Sequence, residues 1–406
     1  MHDDPTELIR GFFGLDPEAL DRSTEVFRAL HAQCPVARVE DVGIYVATGY
    51  DTVREVASRT DDFSSRAVSG HEGGLNQTLL SADPPDHARH KKLAGRPFTA
   101  AALAPREPTI RSIADRLIDE FIDDGRVEFV SQFALTFPVV TIAAMLGVPI
   151  EDEDKFIAWA FAHIEPLGKP GGLQGEERER NGRLMVEFAD YFHRVIRERR
   201  QAPGDDFITT MVAKSDEGDV PLDDDEMLSI IRQLLTGGIE TTAKLLTSSW
   251  EMLLQHPEQL AKVKADPDLI PGMLEESLRL KAPVHGMFRI ANRDTEVMGC
   301  PVPQGAIVML GFSSAGRDPA KFEDPDAFDV TRENANRHMA FGAGIHRCIG
   351  LHLGRIQARI AFEQLLGRLV DVQFAAENEF APFPSFVIQG LNELHLTFTP
   401  SKGTSR

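Results

Sequence analysis

Cys348 lies in the stretch Phe341-Gly342-Ala343-Gly344-Ile345-His346-Arg347-Cys348-Ile349-Gly350, which runs into a helical pattern with apolar Leu353, Ile356 and Ile360. A cysteine at the start of a helix meets backbone N–H groups and the helix dipole, both of which favour the thiolate. A thiolate so placed is a good soft metal ligand. Gly342, Gly344 and Gly350 carry no Cβ, so the backbone there can approach a flat ligand closely. His346 and Arg347 flank the cysteine and could answer carboxylates. Taken singly, each residue has a duller reading, since a lone cysteine is usually buried and inert and a lone histidine usually serves the surface or the packing. The joint spacing is what points to a ligand site.

A second stretch departs from ordinary helix composition. The longest helical signal runs from about Asp223 to Gln255, opened by Asp223, Asp224 and Asp225 and closed by His256-Pro257. At 1.5 Å per residue it would be roughly 50 Å long, the spine of a fold. Its middle nevertheless reads Thr236-Gly237-Gly238-Ile239-Glu240-Thr241-Thr242, and two interior glycines alone cost roughly 2 kcal/mol relative to alanine. Close helix packing is one explanation and a ligand lying against the helix is the other. Elsewhere Glu276 and Arg279 stand at i, i+3 on a helical pattern, which puts both charges on one face. Asp83-Pro84-Pro85-Asp86-His87 reads as a helix entry with prolines suited to the first turn.

The elements around these residues are mostly helical, with Pro17 to Gln33, Thr109 to Asp123, Glu176 to Arg200 and Gln357 to Leu369 as further segments. Apolar alternation predicts strands in Val36 to Thr48, Phe288 to Met298, Ala306 to Phe312 and Leu394 to Phe398. The expected fold is mainly α with a small β-sheet region contributed by both ends of the chain. No linker-like run and no repeat occurs, so residues 1–406 are expected to form a single interleaved domain. The three cysteines, Cys34, Cys300 and Cys348, are far apart without CxxC spacing, so neither a disulfide framework nor a zinc ribbon is expected. A formal charge of -20 argues against nucleic acid as a partner. The absence of a long apolar run or a leader-like N-terminus argues for no membrane and a cytoplasmic location.

Phe-Gly-x-Gly-x-His-x-Cys-x-Gly resembles the haem-binding loop of the cytochrome P450 family, and every fixed position is met. Gly237-Gly238-Ile239-Glu240-Thr241-Thr242 resembles the family's oxygen-activation motif on its long central helix. Glu276-Ser277-Leu278-Arg279 resembles its Glu-x-x-Arg pair, and the segment from Phe322 to Arg332 resembles the one that supplies a second arginine. The resemblance covers the chain from about Asp83 onward and implies the P450 fold, with the long central helix over a haem b (iron protoporphyrin IX). It implies that Cys348 is the proximal ligand of the iron, whose electron donation favours O–O cleavage. His346, His87, Lys91 and Arg289 would serve the haem propionates, although the family usually has arginine at the position of Lys91, and lysine lacks its bidentate fork. Phe341, Gly342, Gly350 and Gly238 would contact the cofactor. Thr241 would open the helix locally and hold dioxygen or water, Glu240 would relay protons from solvent, and Glu276, Arg279 and Arg332 would form a structural network behind the haem loop.

The activity so implied is a monooxygenase reaction on a small or medium hydrophobic substrate with dioxygen. Electrons from NAD(P)H would come through a ferredoxin or flavodoxin-type donor and its reductase, to a protein expected to be a monomer. Lys92, Arg96 and Arg347 are candidates for the donor's docking patch. By the same resemblance the substrate pocket would be lined by the loop from Arg66 to Leu80, the turn Ile164 to Gly175, the helix near Leu234 and Gly238, Val284 to Phe288, and Phe386-Val387. Two other readings differ in what they need. A peroxide-driven haem enzyme would not need the Glu240–Thr241 pair, and a haem carrier or gas sensor would usually be joined to an output domain.

Overall fold

The alternating apolar residues of Val36–Val39 (β1) and Ile44–Ala47 (β2) pair as an antiparallel hairpin, with Val36 opposite Ala47 and Val39 opposite Ile44. In this computed structural model, which describes residues 4–66, 78–168, 172–213 and 220–401, the hairpin finds its partners far along the chain. β2 runs parallel to Ile307–Gly311 (β8), which pairs antiparallel with Gly286–Ala291 (β5), and β5 pairs with the short Phe63–Ser64 (β3). The strand order is β1-β2-β8-β5-β3. Alternation sends Ala47, Val308 and Leu310 to one side, where they meet Val53, Val56 and Phe312. Val46 and Met309 go to the other side, among Phe12, Val26, Phe27 and Leu30. A sheet buried on both faces explains why the sequence of β8 is a nearly continuous apolar run. Thr295–Val297 (β6) and Cys300–Val302 (β7) form a small hairpin of their own.

These strands belong to a compact unit made of the described residues up to 66, Lys244–Cys348 and Ala376–Leu394. A second unit comprises the described residues among 78–243, Ile349–Ala375 and 395–401. Its sheet has the order β4-β10-β9, from Arg126–Glu128 (β4), Leu369–Phe374 (β9) and His395–Pro400 (β10). The helices Glu107–Asp119, Thr136–Met145, Gly175–Gln201 and Leu351–Arg368 make up most of the rest. Stacked Phe129, Phe133 and Phe137, with ring centroids 5.5 and 5.3 Å apart, fix part of its interior. No described helix is long and apolar enough to cross a membrane.

The expected elements are present with shifted boundaries. Pro17 to Gln33 divides at Arg22 into Pro17–Asp21 and Ser23–Gln33. Phe288 to Met298 divides into β5 and β6. The long helix runs unbroken from Asp224 to Gln255. It starts with a reciprocal cap, in which Glu226 N–H donates to Asp223 Oδ1 (2.7 Å) and Asp223 N–H donates to Glu226 Oε2 (3.0 Å). One expectation needs correction, because Cys34 and Cys300 are joined in a disulfide. They are 266 residues apart in sequence, so spacing gives no hint of the pairing, yet folding brings their Cα atoms to 6.6 Å.

Candidate functional site

In the first unit the Cys348 loop is closed by its own backbone. Cys348 N–H donates to the Phe341 carbonyl (2.8 Å) and Gly342 N–H to the Met339 carbonyl (2.8 Å). Gly342 and Gly344 have φ of +71° and +66°, and a Cβ on Gly344 would fall against the Ala57 carbonyl oxygen. Both positions therefore require glycine for the loop itself. Cys348 is exposed and is the one cysteine outside a disulfide among the described residues. It does not open the following helix, as the sequence pattern implied, because Ile349 intervenes and Gly350 is the N-cap of Leu351–Arg368. His346 Nε2 lies 2.8 Å from Ser65 Oγ, a partner that nothing in the sequence signals. Arg289 sits in the middle of β5 opposite Val308 and is buried, with Nη1 donating to the Phe288 carbonyl (2.7 Å).

The same unit brings Glu276, Arg279 and Arg332 together. Arg279 forks onto Glu276 through Nε and Nη2, each at 2.7 Å, and both side chains are fully buried. Arg332 Nε donates to Glu276 Oε1 (2.9 Å). The remaining Arg279 donors reach the carbonyls of Gly316 (2.8 Å), Pro325 (2.7 Å) and Ala327 (3.0 Å). Charge-assisted, bidentate bonds of this kind are what a buried ion pair needs to offset its desolvation.

In the second unit His87 and Lys91 stand one turn apart on the helix Asp86–Ala94, His87 buried and Lys91 half-buried. The prolines precede this helix, with Pro85 at its N-cap. Its Arg89 forks onto Glu226 of the central helix, and His90 Nε2 lies 3.1 Å from the same carboxylate. Burial alone would raise the Glu226 carboxyl, but hydrogen bonds from Arg89, the Asp223 backbone and His90 outweigh it and hold the pKa at about 2.

The glycine pair on that helix splits in meaning. A Cβ on Gly238 would lie 2.9 Å from Ile142 Cδ1, whereas one on Gly237 would meet nothing within 4 Å. Close packing thus accounts for Gly238 alone. Glu240 is buried. The Thr241 hydroxyl donates to the Gly237 carbonyl one turn back, so the helix accommodates Thr241 by side-chain bonding rather than by the open ladder expected. Of the expected pocket lining, residues 67–77 and 169–171 lie outside the described residues.

A cytochrome P450 family model matches residues 173–384. The chain is 33% identical over 414 residues to the cytochrome P450 monooxygenase PikC of Streptomyces venezuelae, covering 99% of this chain and 97% of that one. It is 32% identical over 376 residues to a steroid C26-monooxygenase of Mycobacterium tuberculosis, covering 92% and 93%. The solved cytochrome P450 CYP109Q5 of Chondromyces apiculatus superposes with a TM-score of 0.88 at 32% identity, over 96% of this chain and 98% of that one. The chain belongs to the cytochrome P450 family. It is a haem-thiolate monooxygenase, an oxidoreductase that uses haem b, dioxygen, an organic substrate and electrons passed on by redox proteins. The residues present fit that cofactor, since Cys348 is exposed and outside the disulfide, a thiolate is a soft ligand of the kind iron takes, and the loop's glycines keep its backbone bare.

Proposed function

We propose that Cys348 is the thiolate that holds the haem iron, and that His87, Lys91, Arg289 and His346 neutralise the propionates. The observation that carries this reading is that Cys34 and Cys300 are joined in a disulfide, which leaves Cys348, exposed in its glycine loop, as the cysteine outside it. Phe341, Gly342, Gly350 and Gly238 line the cofactor in this reading, and Glu276, Arg279 and Arg332 hold the chain behind the loop. The haem, once bound, supplies the oxygen-activating chemistry. Thr241 positions dioxygen or water with its hydroxyl, and Glu240 passes protons inward from solvent as a general acid.

The substrate we propose is a small or medium hydrophobic compound, a terpenoid, aromatic or fatty molecule. The electron donor is a separate ferredoxin or flavodoxin with its reductase, and the protein works in the cytoplasm as a monomer. Residues 1–406 function as a single domain in this reading. Cys348→His is expected to abolish the red-shifted ferrous–CO band of thiolate-ligated haem; survival of that band would assign the iron to another residue.

A further inference from the structure

Lys244 is a fully buried lysine one turn beyond Thr241, about 4.5 Å along the helix axis. Burying an ammonium group is costly unless it is well partnered. Its Nζ donates to the Leu391 carbonyl (2.7 Å) and lies 4.2 Å from the centroid of the Phe383 ring, a cation–π contact. Its stem runs along Gly390, where an added Cβ would come within 2.5 Å of Lys244 Cδ and 3.1 Å of Cγ. Gly390 also has φ of +147°, which L side chains rarely adopt.

Phe383, Gly390 and Leu391 are the root of a closed arm. Phe383 N–H donates to the Gly390 carbonyl (2.7 Å), Asn392 N–H donates to the Ala381 carbonyl (3.1 Å), and Pro382 bridges to Leu391. At the tip Ser385 Oγ accepts from Val387 N–H (3.1 Å) and Ile388 N–H (3.0 Å). Phe386 packs there against Phe13, with ring centroids 5.4 Å apart. The tip is also held from outside, because His285 N–H donates to the Val387 carbonyl (2.7 Å) and Gln389 N–H to the Pro283 carbonyl (2.9 Å), so the grip at the root is the second of the arm's two anchors.

We propose that Lys244 is a positioning residue that locks the arm 381–391 to the catalytic helix and so fixes one wall of the substrate cavity. The inference rests on the proposed reading of Phe386 and Val387 as cavity lining. Lysine supplies both halves of the lock, a charged donor for the Leu391 carbonyl and an apolar stem for the bare Gly390 backbone. Methionine keeps only the stem.

The test uses the haem-loaded protein and two iron-ligating probes, imidazole and 4-phenylimidazole, followed by the Soret shift, with amide exchange of residues 381–392 measured alongside. Lys244→Met and Gly390→Ala are each expected to weaken 4-phenylimidazole about tenfold, to leave imidazole unchanged and to speed exchange of the arm. Lys244→Arg should restore most of the binding. Equal weakening of both probes, or unchanged binding with unchanged exchange, would overturn the proposal. If Lys244→Met fails to load haem, Gly390→Ala decides alone. If neither probe shifts the Soret band of the unaltered protein, the haem reading itself fails, while the exchange of the arm still reports on the lock.

Discussion

Two stretches of the chain handle buried polarity in opposite ways. Around Glu276 the fold surrounds charge with partners: Arg279, Arg332 and the Asp329 N–H all converge on one carboxylate, and Arg279 reaches three carbonyls besides. From Thr236 to Thr242 the central helix instead gathers weak helix formers, and Thr241 turns its hydroxyl onto its own backbone. The first arrangement tolerates no loss and is built for stability. The second gives up helix propensity, with open space beside Gly237 and a threonine hydroxyl satisfied within its own helix.

Loss of a charge from the network should have the largest effect. Glu276→Gln should cost about 3–5 kcal/mol, because Arg279 would stay buried without its counter-charge. A denaturation midpoint close to that of the unaltered protein would mean that the carbonyls alone satisfy the arginine. At the helix, Thr241→Ala should leave stability nearly unchanged but divert electrons from product to hydrogen peroxide. Fully coupled product formation, assayed against NAD(P)H consumed, would remove Thr241 from its role.

A smaller effect lies in pH. Burial holds the imidazole of His285 neutral, with its pKa lowered to about 3. The unfolded chain, with an ordinary value near 6.5, takes up a proton that the folded chain refuses. Stability from this residue is therefore fully present above about pH 6.5 and declines, by up to about 1.4 kcal/mol per pH unit, as pH falls toward 3. Unfolding measured across that range should be flatter in His285→Gln; identical slopes would show that His285 takes up its proton in the fold.

The smallest effect sharpens the reading of the glycines. Gly237→Ala should stabilise the protein by about 0.5–1 kcal/mol, since nothing lies within 4 Å of its added methyl. Gly238→Ala should gain less, because Ile142 must move aside. Equal gains would remove packing as the reason for Gly238.

Local chemistry in this chain was legible in advance and distant pairing was not. The loop at Cys348, the central helix, and the strands of the hairpin and of β8 follow from spacing and alternation within a few residues. The grip of Lys244 on Leu391, the Ser65–His346 contact and the Cys34–Cys300 bond each join residues more than a hundred positions apart, where no local pattern reports on the partner. The bonding of Thr241 was illegible for a different reason. Its sequence context announces an irregular helix, but a threonine can meet that demand either by opening the ladder or by bonding back one turn, and both have the same sequence. For the glycines of the cysteine loop, the bare backbone expected for a flat ligand also proves to be a condition of the loop's own turn.

The parallel pairing of β2 with β8 has a consequence for how the chain is made. Tyr45 leaves the ribosome long before Val308, its partner in register, has been joined to the chain. At roughly 5–20 residues per second the gap corresponds to tens of seconds. Throughout that interval the apolar edge of β2, with β1 on one side only, stands open to any other strand. The exposed step is therefore expected during synthesis, and the yield is expected to rise with chaperone capacity.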